Sequence, residues 1–120
     1  MTTLHVGIAS YDAFKKRTMA IANGRVVPGA DEPKVWFTSI ESFAKVLSDR
    51  NRELLAIIAE TNPDSLTELA QKTGRATSNL SRTLKTMERY GLIRFEKGEG
   101  RTQAPRVVYS DITLDVSLGG

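Results

Sequence analysis

The most regular pattern of donor side chains in the sequence lies between Ser78 and Arg89, where Ser, Asn, Arg and Lys are interleaved with apolar residues. At about 100° per residue of an α-helix, Leu80, Leu84 and Met87 fall within about 60° of one another. The polar residues take the opposite side: Ser78, Arg82, Lys85, Thr86 and Arg89, with Arg75 just ahead of them. The segment therefore predicts a helix with one core-facing side and one open side that carries cations and hydrogen-bond donors.

Basic residues concentrate in the same part of the chain. Residues 72–106 hold nine of the 17 Lys and Arg residues but only three of the 14 Asp and Glu residues, although the net charge of the chain is only +3. A polyanion would therefore meet this side of the protein first. The alternative is that these Lys and Arg residues only solvate an exposed face, which is their usual role. The helix break at Gly74, just before this segment, favours a binding surface over that alternative.

A second short helix is predicted directly before the break. Ser65 and Glu68 have the spacing of a capping box, in which each residue satisfies backbone donors at the start of a helix. The helix they begin runs to Thr73, and Gly74 supplies the permissive backbone that a helix C-terminus favours. The next helix begins at Ala76 or Thr77. Two short helices joined this tightly are typical of a helix-turn-helix, which places its second helix in the major groove of DNA.

The candidate DNA contacts divide into two kinds. Phosphate contacts position a protein and supply most of its affinity, whereas contacts to base edges supply sequence preference. We expect the phosphate contacts to come from Ser78, Ser81, Lys85 and Thr86, with Arg89 on the same face. Asn79 and Arg82 are the main candidates for base readout, because Asn pairs with adenine and Arg with guanine through two hydrogen bonds. Thr77 and Arg75, at the helix start, come next.

A β-hairpin is predicted after the helices. Leu92 to Glu96 alternates like a strand, residues 97–101 form a tip, and extended character resumes at Val107 and continues through Ile112, Leu114 and Val116. A hairpin in this position is the wing of a winged helix-turn-helix. Lys97, Arg101 and Arg106 are the basic residues suited to contact phosphates or the minor groove there. The alternative is an ordinary solvent-facing hairpin whose glycines only make the turn.

The remaining elements predict an α+β fold with a winged helix-turn-helix and an N-terminal strand-helix-strand extension. The extension, residues 1–37, contains a strand at Leu4 to Ile8, a helix at Tyr11 to Ala22, a loop at Pro28 to Pro33 and a strand at Lys34 to Phe37. We expect it to serve dimerisation or partner binding. Residues 38–118 are expected to form the DNA-binding domain, and its first two helices are predicted at Ile40 to Leu47 and Asp49 to Thr61.

Several classes of function lack support in the sequence. The chain has no cysteine and one histidine, His5, and it contains no HExxH, GxSxG or phosphate-loop pattern. Asp111 and Asp115 share one face of a strand, but this spacing more often keeps a sheet edge soluble. We therefore expect no catalysis, no metal site and no cofactor. The longest apolar run, residues 54–59, is far shorter than the about 20 residues that cross a bilayer, and we expect a cytoplasmic protein without membrane contact.

The segment from Ser78 to Ile93, SNLSRTLKTMERYGLI, resembles the recognition helix of bacterial and archaeal winged-helix regulators of the ArsR and MarR kind. The resemblance covers about Phe37 to Leu118. Residues 31–39, DEPKVWFTS, extend a narrower resemblance to a family of predicted transcriptional regulators of unassigned role. The resemblance implies a transcriptional regulator that binds double-stranded DNA.

The same resemblance implies a homodimer and, because small regulators of this type are often paired with a toxin, an antitoxin with a cognate toxin as the alternative reading. A protein-interaction module on the same scaffold is the other alternative. The chain differs from ArsR- and MarR-type regulators in two respects. It lacks the Cys clusters of ArsR-type metal sensors, and it has no counterpart of the MarR dimer helices, so residues 1–37 would have to do much of the work of dimerisation.

Overall fold

The computed structural model describes residues 2–24, 33–98, 100, 102–116 and 118, which form a mixed α and β structure. In chain order the elements are β1 (Thr3–Ile8), α1 (Tyr11–Ala22), β2 (Val35–Phe37), α2 (Ile40–Val46), α3 (Asp49–Thr61), α4 (Leu66–Thr73), α5 (Thr77–Arg89), β3 (Ile93–Lys97), β4 (Gln103–Val107) and β5 (Asp111–Val116). They divide into two compact units: Met1–Lys45 with Asp111–Gly120, and Val46–Ser110. Among the described helices, none has the length and apolar character to cross a membrane.

The first unit is built on a three-stranded sheet in the order β2-β1-β5, with both pairings parallel. Leu4 and Val6 on the central strand are buried. Their register partners on β5 are Ile112 and Leu114, and partners in a parallel ladder point to the same side of the sheet. One face of this sheet is therefore apolar. The other face carries the polar residues of β1 and β5, including His5.

A glycine makes room for the single tryptophan in this unit. Gly7 and Trp36 are register partners on β1 and β2, and a Cβ added at Gly7 would lie 2.4 to 2.9 Å from three carbon atoms of the Trp36 ring. The indole therefore lies directly over the glycine backbone. Next to it in the chain, Phe37 is buried and meets the Phe43 ring edge to face at a centroid distance of 5.4 Å. Phe37 therefore belongs to the core of the first unit.

The second unit packs three helices and one hairpin around a single core. Leu54 and Ile58 of α3 and Leu69 of α4 are almost completely excluded from solvent. The further members of this core are Leu80, Leu84 and Met87 of α5, Leu92 and Ile93 at the start of the hairpin, and Ala104 on β4. Every one of these helices thus contributes the apolar stripe that its periodicity predicts.

Local capping sets the bounds of α3 and α4. Ser65 Oγ accepts a hydrogen bond from the Glu68 N–H at 3.1 Å, and Glu68 Oε2 accepts one from the Asp64 N–H at 2.8 Å. The predicted capping box is therefore present, with the glutamate reaching one residue further back than expected. Asn62, with φ of 45°, ends α3, and Gly74, with φ of 73°, ends α4. Only three residues then separate α4 from α5.

The strands β3 and β4 form an antiparallel hairpin in which Ile93 pairs with Val107 and Lys97 with Gln103. The Gly98 N–H continues the ladder to the Thr102 carbonyl at 2.9 Å. This second strand begins four residues earlier than predicted. Its tip includes Glu99 and Arg101, which lie outside the described residues, as does all of the predicted loop from Pro28 to Pro33 except Pro33 itself.

The structure corrects the predicted role of the last strand. Residues 111–116 do not continue the hairpin; they pair with β1 over six residues, from Thr3 with Asp111 to Ile8 with Val116. The alternation of Ile112, Leu114 and Val116 predicts a strand with one apolar side, but it carries no information about which strand it joins. The two compact units also differ in their bounds from the expected division into residues 1–37 and 38–118, because β5 and most of α2 belong to the first unit.

Candidate functional site

The helix α5 separates apolar from polar side chains as its periodicity predicts. Leu80, Leu84 and Met87 each have 0 % of their surface exposed and lie in the core of the second unit. On the opposite side lie the exposed residues that we call the open face of α5: Ser78, Asn79, Arg82, Lys85 and Arg89. This single helix therefore anchors itself through one side and presents donors and positive charge on the other.

The cations of the open face carry no neutralising partner within the described part of the chain. Arg82, Lys85 and Arg89 form no ion pair there, whereas several other arginines of the second unit are paired with carboxylates. An exposed cation without a neighbouring carboxylate attracts a polyanion with its full charge. The open face therefore carries positive charge that no ion pair neutralises among the described residues.

Smaller polar residues flank the open face. Thr77 is exposed in the first turn, while Ser81 and Thr86 are half-buried at its two borders. The Thr86 hydroxyl donates to the Arg82 carbonyl at 3.2 Å, one turn earlier in the same helix. These predicted contact residues therefore remain at the rim of the surface, with Thr86 Oγ already engaged by its own backbone.

The N-terminus of α5 differs chemically from those of α3 and α4. Ser48 and Ser65 each accept a backbone N–H hydrogen bond at the start of their helices. At α5 the corresponding residue is Ala76, which has no acceptor side chain, and the first turn contains no acidic residue. The first backbone N–H groups and the positive end of the helix dipole therefore remain available beside the open face.

Arg75 lies along α5 rather than extending into solvent. Its Nε donates to Asn79 Oδ1 at 2.9 Å and its Nη2 donates to Thr83 Oγ1 at 3.3 Å, so the guanidinium spans two successive turns. Its backbone N–H donates to Thr73 Oγ1 at 3.2 Å, which ties the turn to the end of α4. Arg75 is a secondary candidate for base readout in the sequence prediction, and in the structure its guanidinium is engaged by Asn79 and Thr83.

Burial lowers the pKa of the Arg75 guanidinium, and the positive charge of Arg50 on α3 lowers it further. The group stays protonated because arginine retains its proton throughout the physiological range. Its Nη1 is buried and has no hydrogen-bond partner among the described residues. The guanidinium is thus held beside Asn79 at some electrostatic cost.

Lys97 is an exposed candidate contact among the described residues of the hairpin. It lies on β3 next to the tip, while Arg101 lies outside the described residues. Arg94 donates a 2.9 Å hydrogen bond to Glu96 Oε1, and this bond lowers the pKa of the Glu96 carboxyl, with the charges of Arg94 and Arg106 acting in the same direction. Among the described hairpin residues, Lys97 is the cation best placed to meet an external anion.

Arg106, which is predicted as a contact of the hairpin, is largely buried and held within the second unit. Only 19 % of its side chain is exposed, and Nη1 donates to the Pro63 carbonyl at 2.8 Å. The same guanidinium lies 3.6 Å from Glu96 Oε2 and 3.9 Å from Asp64 Oδ1. It connects the α3–α4 loop to the hairpin, a structural role that sequence reasoning could not distinguish from phosphate binding, because Pro63 is 43 residues away.

Sequence reasoning also missed two residues around Arg75. Thr83 accepts one of its hydrogen bonds, and it could have been found, because it lies one turn beyond Asn79 on the same side of α5. No pattern in the sequence indicates that Arg50 lies near Arg75. Its proximity to Arg75 depends on how α3 packs in the second unit, which the local pattern of residues does not encode.

Comparison with known proteins places the chain in a family. The model of the family described as HVO_A0114 matches residues 46–114, more than half of the chain, and the chain belongs to that family. The match contains the whole second unit and the first four residues of β5. No curated protein and no solved structure matches the chain.

Proposed function

We propose that residues 46–110 form a winged helix-turn-helix and that the chain is a transcriptional regulator that binds double-stranded DNA with sequence preference. In this proposal α4 and α5 are the two helices of the motif, α5 is the recognition helix, and the β3–β4 hairpin is the wing. The resemblance of residues 78–93 to ArsR- and MarR-type regulators supports the same conclusion, as does the short connection between α4 and α5.

One observation carries the proposal. The open face of α5 holds three cations without carboxylate partners among the described residues, on a helix whose other side is completely buried. A protein partner would favour apolar and aromatic residues at the centre of a contact surface. Arginine, lysine, serine and asparagine are instead the side chains that contact phosphates and base edges.

In the proposed complex α5 lies in the major groove. Lys85 and Arg89, together with Ser78 and the half-buried Ser81 and Thr86, contact phosphates. The first N–H groups of α5, which no side chain caps, point toward the phosphate backbone of the DNA. Asn79 and Arg82 face the base edges, with Thr77 beside them. Lys97 and Arg101 of the hairpin contact phosphates further along the duplex.

Salt-dependent binding to a labelled duplex tests this proposal. The logarithm of the binding constant should fall with the logarithm of the salt concentration with a slope of about −0.9 for each phosphate neutralised. Lys85→Ala should make that slope shallower by about one contact and weaken binding to all sequences. Lys16→Ala is the matched control, because Lys16 is an exposed lysine of α1 in the other unit, and it should change neither slope nor affinity.

The alternatives predict different results in the same experiment. A protein-interaction module, including an antitoxin that works only by gripping its toxin, would bind no duplex even at low salt. An antitoxin that also represses its own promoter would bind that promoter, and it would form a complex with the product of an adjoining gene. Binding to duplexes that Lys85→Ala leaves unchanged would contradict the placement of α5 in the groove.

A further inference from the structure

The strand β5 lies at one edge of the parallel sheet. It pairs with β1 over its full length, and none of the strands among the described residues pairs with its other side. Leu114 and Val116 on this strand are 37 % and 40 % exposed. An edge of this length with apolar side chains is a template for pairing with another strand.

The backbone hydrogen bonds show which residues face the open side of β5. The Asp111 N–H donates to the Thr2 carbonyl at 3.2 Å, so the polar backbone groups of Asp111 point toward β1. In a parallel ladder these groups alternate in direction from residue to residue. The N–H and C=O groups of Thr113 and Asp115 therefore also point toward β1. Those of Ile112, Leu114 and Val116 point toward the open edge.

A second copy of the same strand fits this edge in only one favourable register. A closed dimer has a two-fold axis, which makes the two β5 strands antiparallel. Open-edge residues must then pair with one another, and the registers centred on Thr113 or Leu114 pair the most residues of β5, five of its six. Centring on Thr113 sets Asp111 opposite Asp115 of the second copy, and centring on Asp115 sets the two Asp115 carboxylates opposite each other.

Of the two registers that pair five residues, only the one centred on Leu114 avoids opposed carboxylates among the described residues. It sets Asp115 opposite Thr113 of the second copy, Ile112 opposite Val116, and Leu114 opposite itself. Like charges directly opposite each other destabilise a sheet, whereas apolar cross-strand pairs stabilise it. The positions of Asp111 and Asp115 thus favour the register centred on Leu114.

We propose that two copies of the chain dimerise through β5, antiparallel and with Leu114 on the two-fold axis, into a six-stranded sheet of order β2-β1-β5-β5-β1-β2. The apolar face of the sheet then continues across the axis through Leu114 and the Ile112–Val116 pairs. On the polar face, Thr113 Oγ1 lies 2.8 Å from His5 Nδ1. Its hydroxyl, which both donates and accepts, is then positioned to connect His5 with Asp115 of the second copy. This dimer is independent of DNA binding.

Disulfide trapping tests the register directly, because the chain contains no cysteine. Paired residues on adjacent antiparallel strands have Cα atoms about 5.5 Å apart, within the range that a disulfide spans. Leu114→Cys should therefore give a covalent dimer on mild oxidation. Val116→Cys is the matched control, since the two copies of residue 116 would be about 13 Å apart. It should stay monomeric under denaturing conditions unless it is mixed with Ile112→Cys.

A proline substitution tests the edge hydrogen bonds in solution. The Leu114 N–H faces the open edge, so Leu114→Pro should leave the pairing of β5 with β1 in place, remove the dimer in sedimentation or light-scattering measurements, and keep the circular dichroism spectrum. Thr113→Pro should instead disrupt the sheet, because the Thr113 N–H faces β1. A monomeric wild type overturns the proposal, as does a dimer that survives Leu114→Pro. Efficient trapping through Val116→Cys alone would also contradict it, and trapping remains decisive if Leu114→Pro fails to fold.

Discussion

Arg75 Nε donates a 2.9 Å hydrogen bond to Asn79 Oδ1, and because Nε can only donate, this bond fixes which end of the Asn79 amide faces Arg75. The Asn79 NH2 group is thereby directed away from the arginine. The same guanidinium holds Thr83, one turn further along α5. Arg75 thus sets the orientation of the side chain that we propose for base readout.

Arg75→Ala should therefore relax sequence preference at the same base pair as Asn79→Ala. We expect each variant to lose roughly fivefold to a hundredfold discrimination, the value of one good base contact, and the double variant to lose little more, because the two residues act as a unit. Binding to duplexes changed at one base pair at a time measures this. Arg75→Lys, which retains the charge but cannot bond Asn79 and Thr83 together, should not restore preference. If Arg75→Ala instead weakened binding to all sequences by the same factor, the result would indicate that Arg75 contacts a phosphate.

Arg82 and Lys97 should differ in the kind of binding they support. Arg82→Ala should reduce discrimination between specific and random duplexes by about 1 to 3 kcal/mol, because it removes a proposed base contact. Lys97→Ala should weaken binding to both duplexes by the same factor, because a phosphate contact carries no sequence information. Titration of each variant against both duplexes distinguishes the two roles. Identical behaviour of the two variants would contradict the assignment.

Leu84→Ala should destabilise the second unit by about 2 to 5 kcal/mol, because the Leu84 side chain is completely buried and its removal leaves a cavity. Urea unfolding followed by circular dichroism measures the change. Leu118→Ala is the control, since Leu118 is 98 % exposed and its substitution should change stability by less than about 0.5 kcal/mol. Equal effects of the two substitutions would refute the proposed placement of the core.

Gly7→Ala should displace the Trp36 ring, because the new Cβ would lie within 2.4 Å of a ring carbon. We expect a shift in the emission of this single tryptophan and a loss of about 1 to 3 kcal/mol, the usual cost of overpacking. Trp36→Leu removes the ring that obstructs the methyl group. In that background Gly7→Ala should cost far less, and an unchanged cost would show that the strain has another origin.

Glu96→Gln should lower stability at neutral pH and have no effect in strong acid. The pKa of the Glu96 carboxyl is lowered in the folded protein, first by the hydrogen bond from Arg94. A carboxyl of this kind stabilises the fold above its unfolded pKa, and the stabilisation disappears as the pH falls through the folded value. Thermal unfolding at both pH values measures the difference. The control is Glu53→Gln, at an exposed position of α3. A difference between wild type and Glu96→Gln that persisted in acid would exclude the ionised carboxylate as its source.

Much of the second unit was predictable because its determinants are local. The spacing of Leu80, Leu84 and Met87 defines the buried side of α5, and Ser65 with Glu68 marks the start of α4. Gly74 ends α4 where the sequence predicts. Each of these signals acts over one or two turns of helix, which is the range that a pattern of residue types can encode.

Other features depend on contacts between distant parts of the chain. The partner of β5 is β1, 108 residues earlier at Thr3 and Asp111, and alternation alone cannot specify it. Arg106 carries the same charge as Lys97, yet the Pro63 carbonyl and two carboxylates hold it inside the second unit. The Lys and Arg residues of a sequence therefore predict the sign of the charge on a surface. They do not identify which of these side chains are free to bind a partner.

The pairing of β1 with β5 has a consequence for synthesis on the ribosome. All of residues 46–110 are made before β5, so that segment can acquire its structure while the sheet of the first unit still lacks an edge strand. The residues of β1, which are translated before that segment, are thus among the last to be completed in structure, and closing so long a loop is slow. A nascent chain arrested before Asp111 would expose the unpaired backbone edge of β1, to which a chaperone could bind.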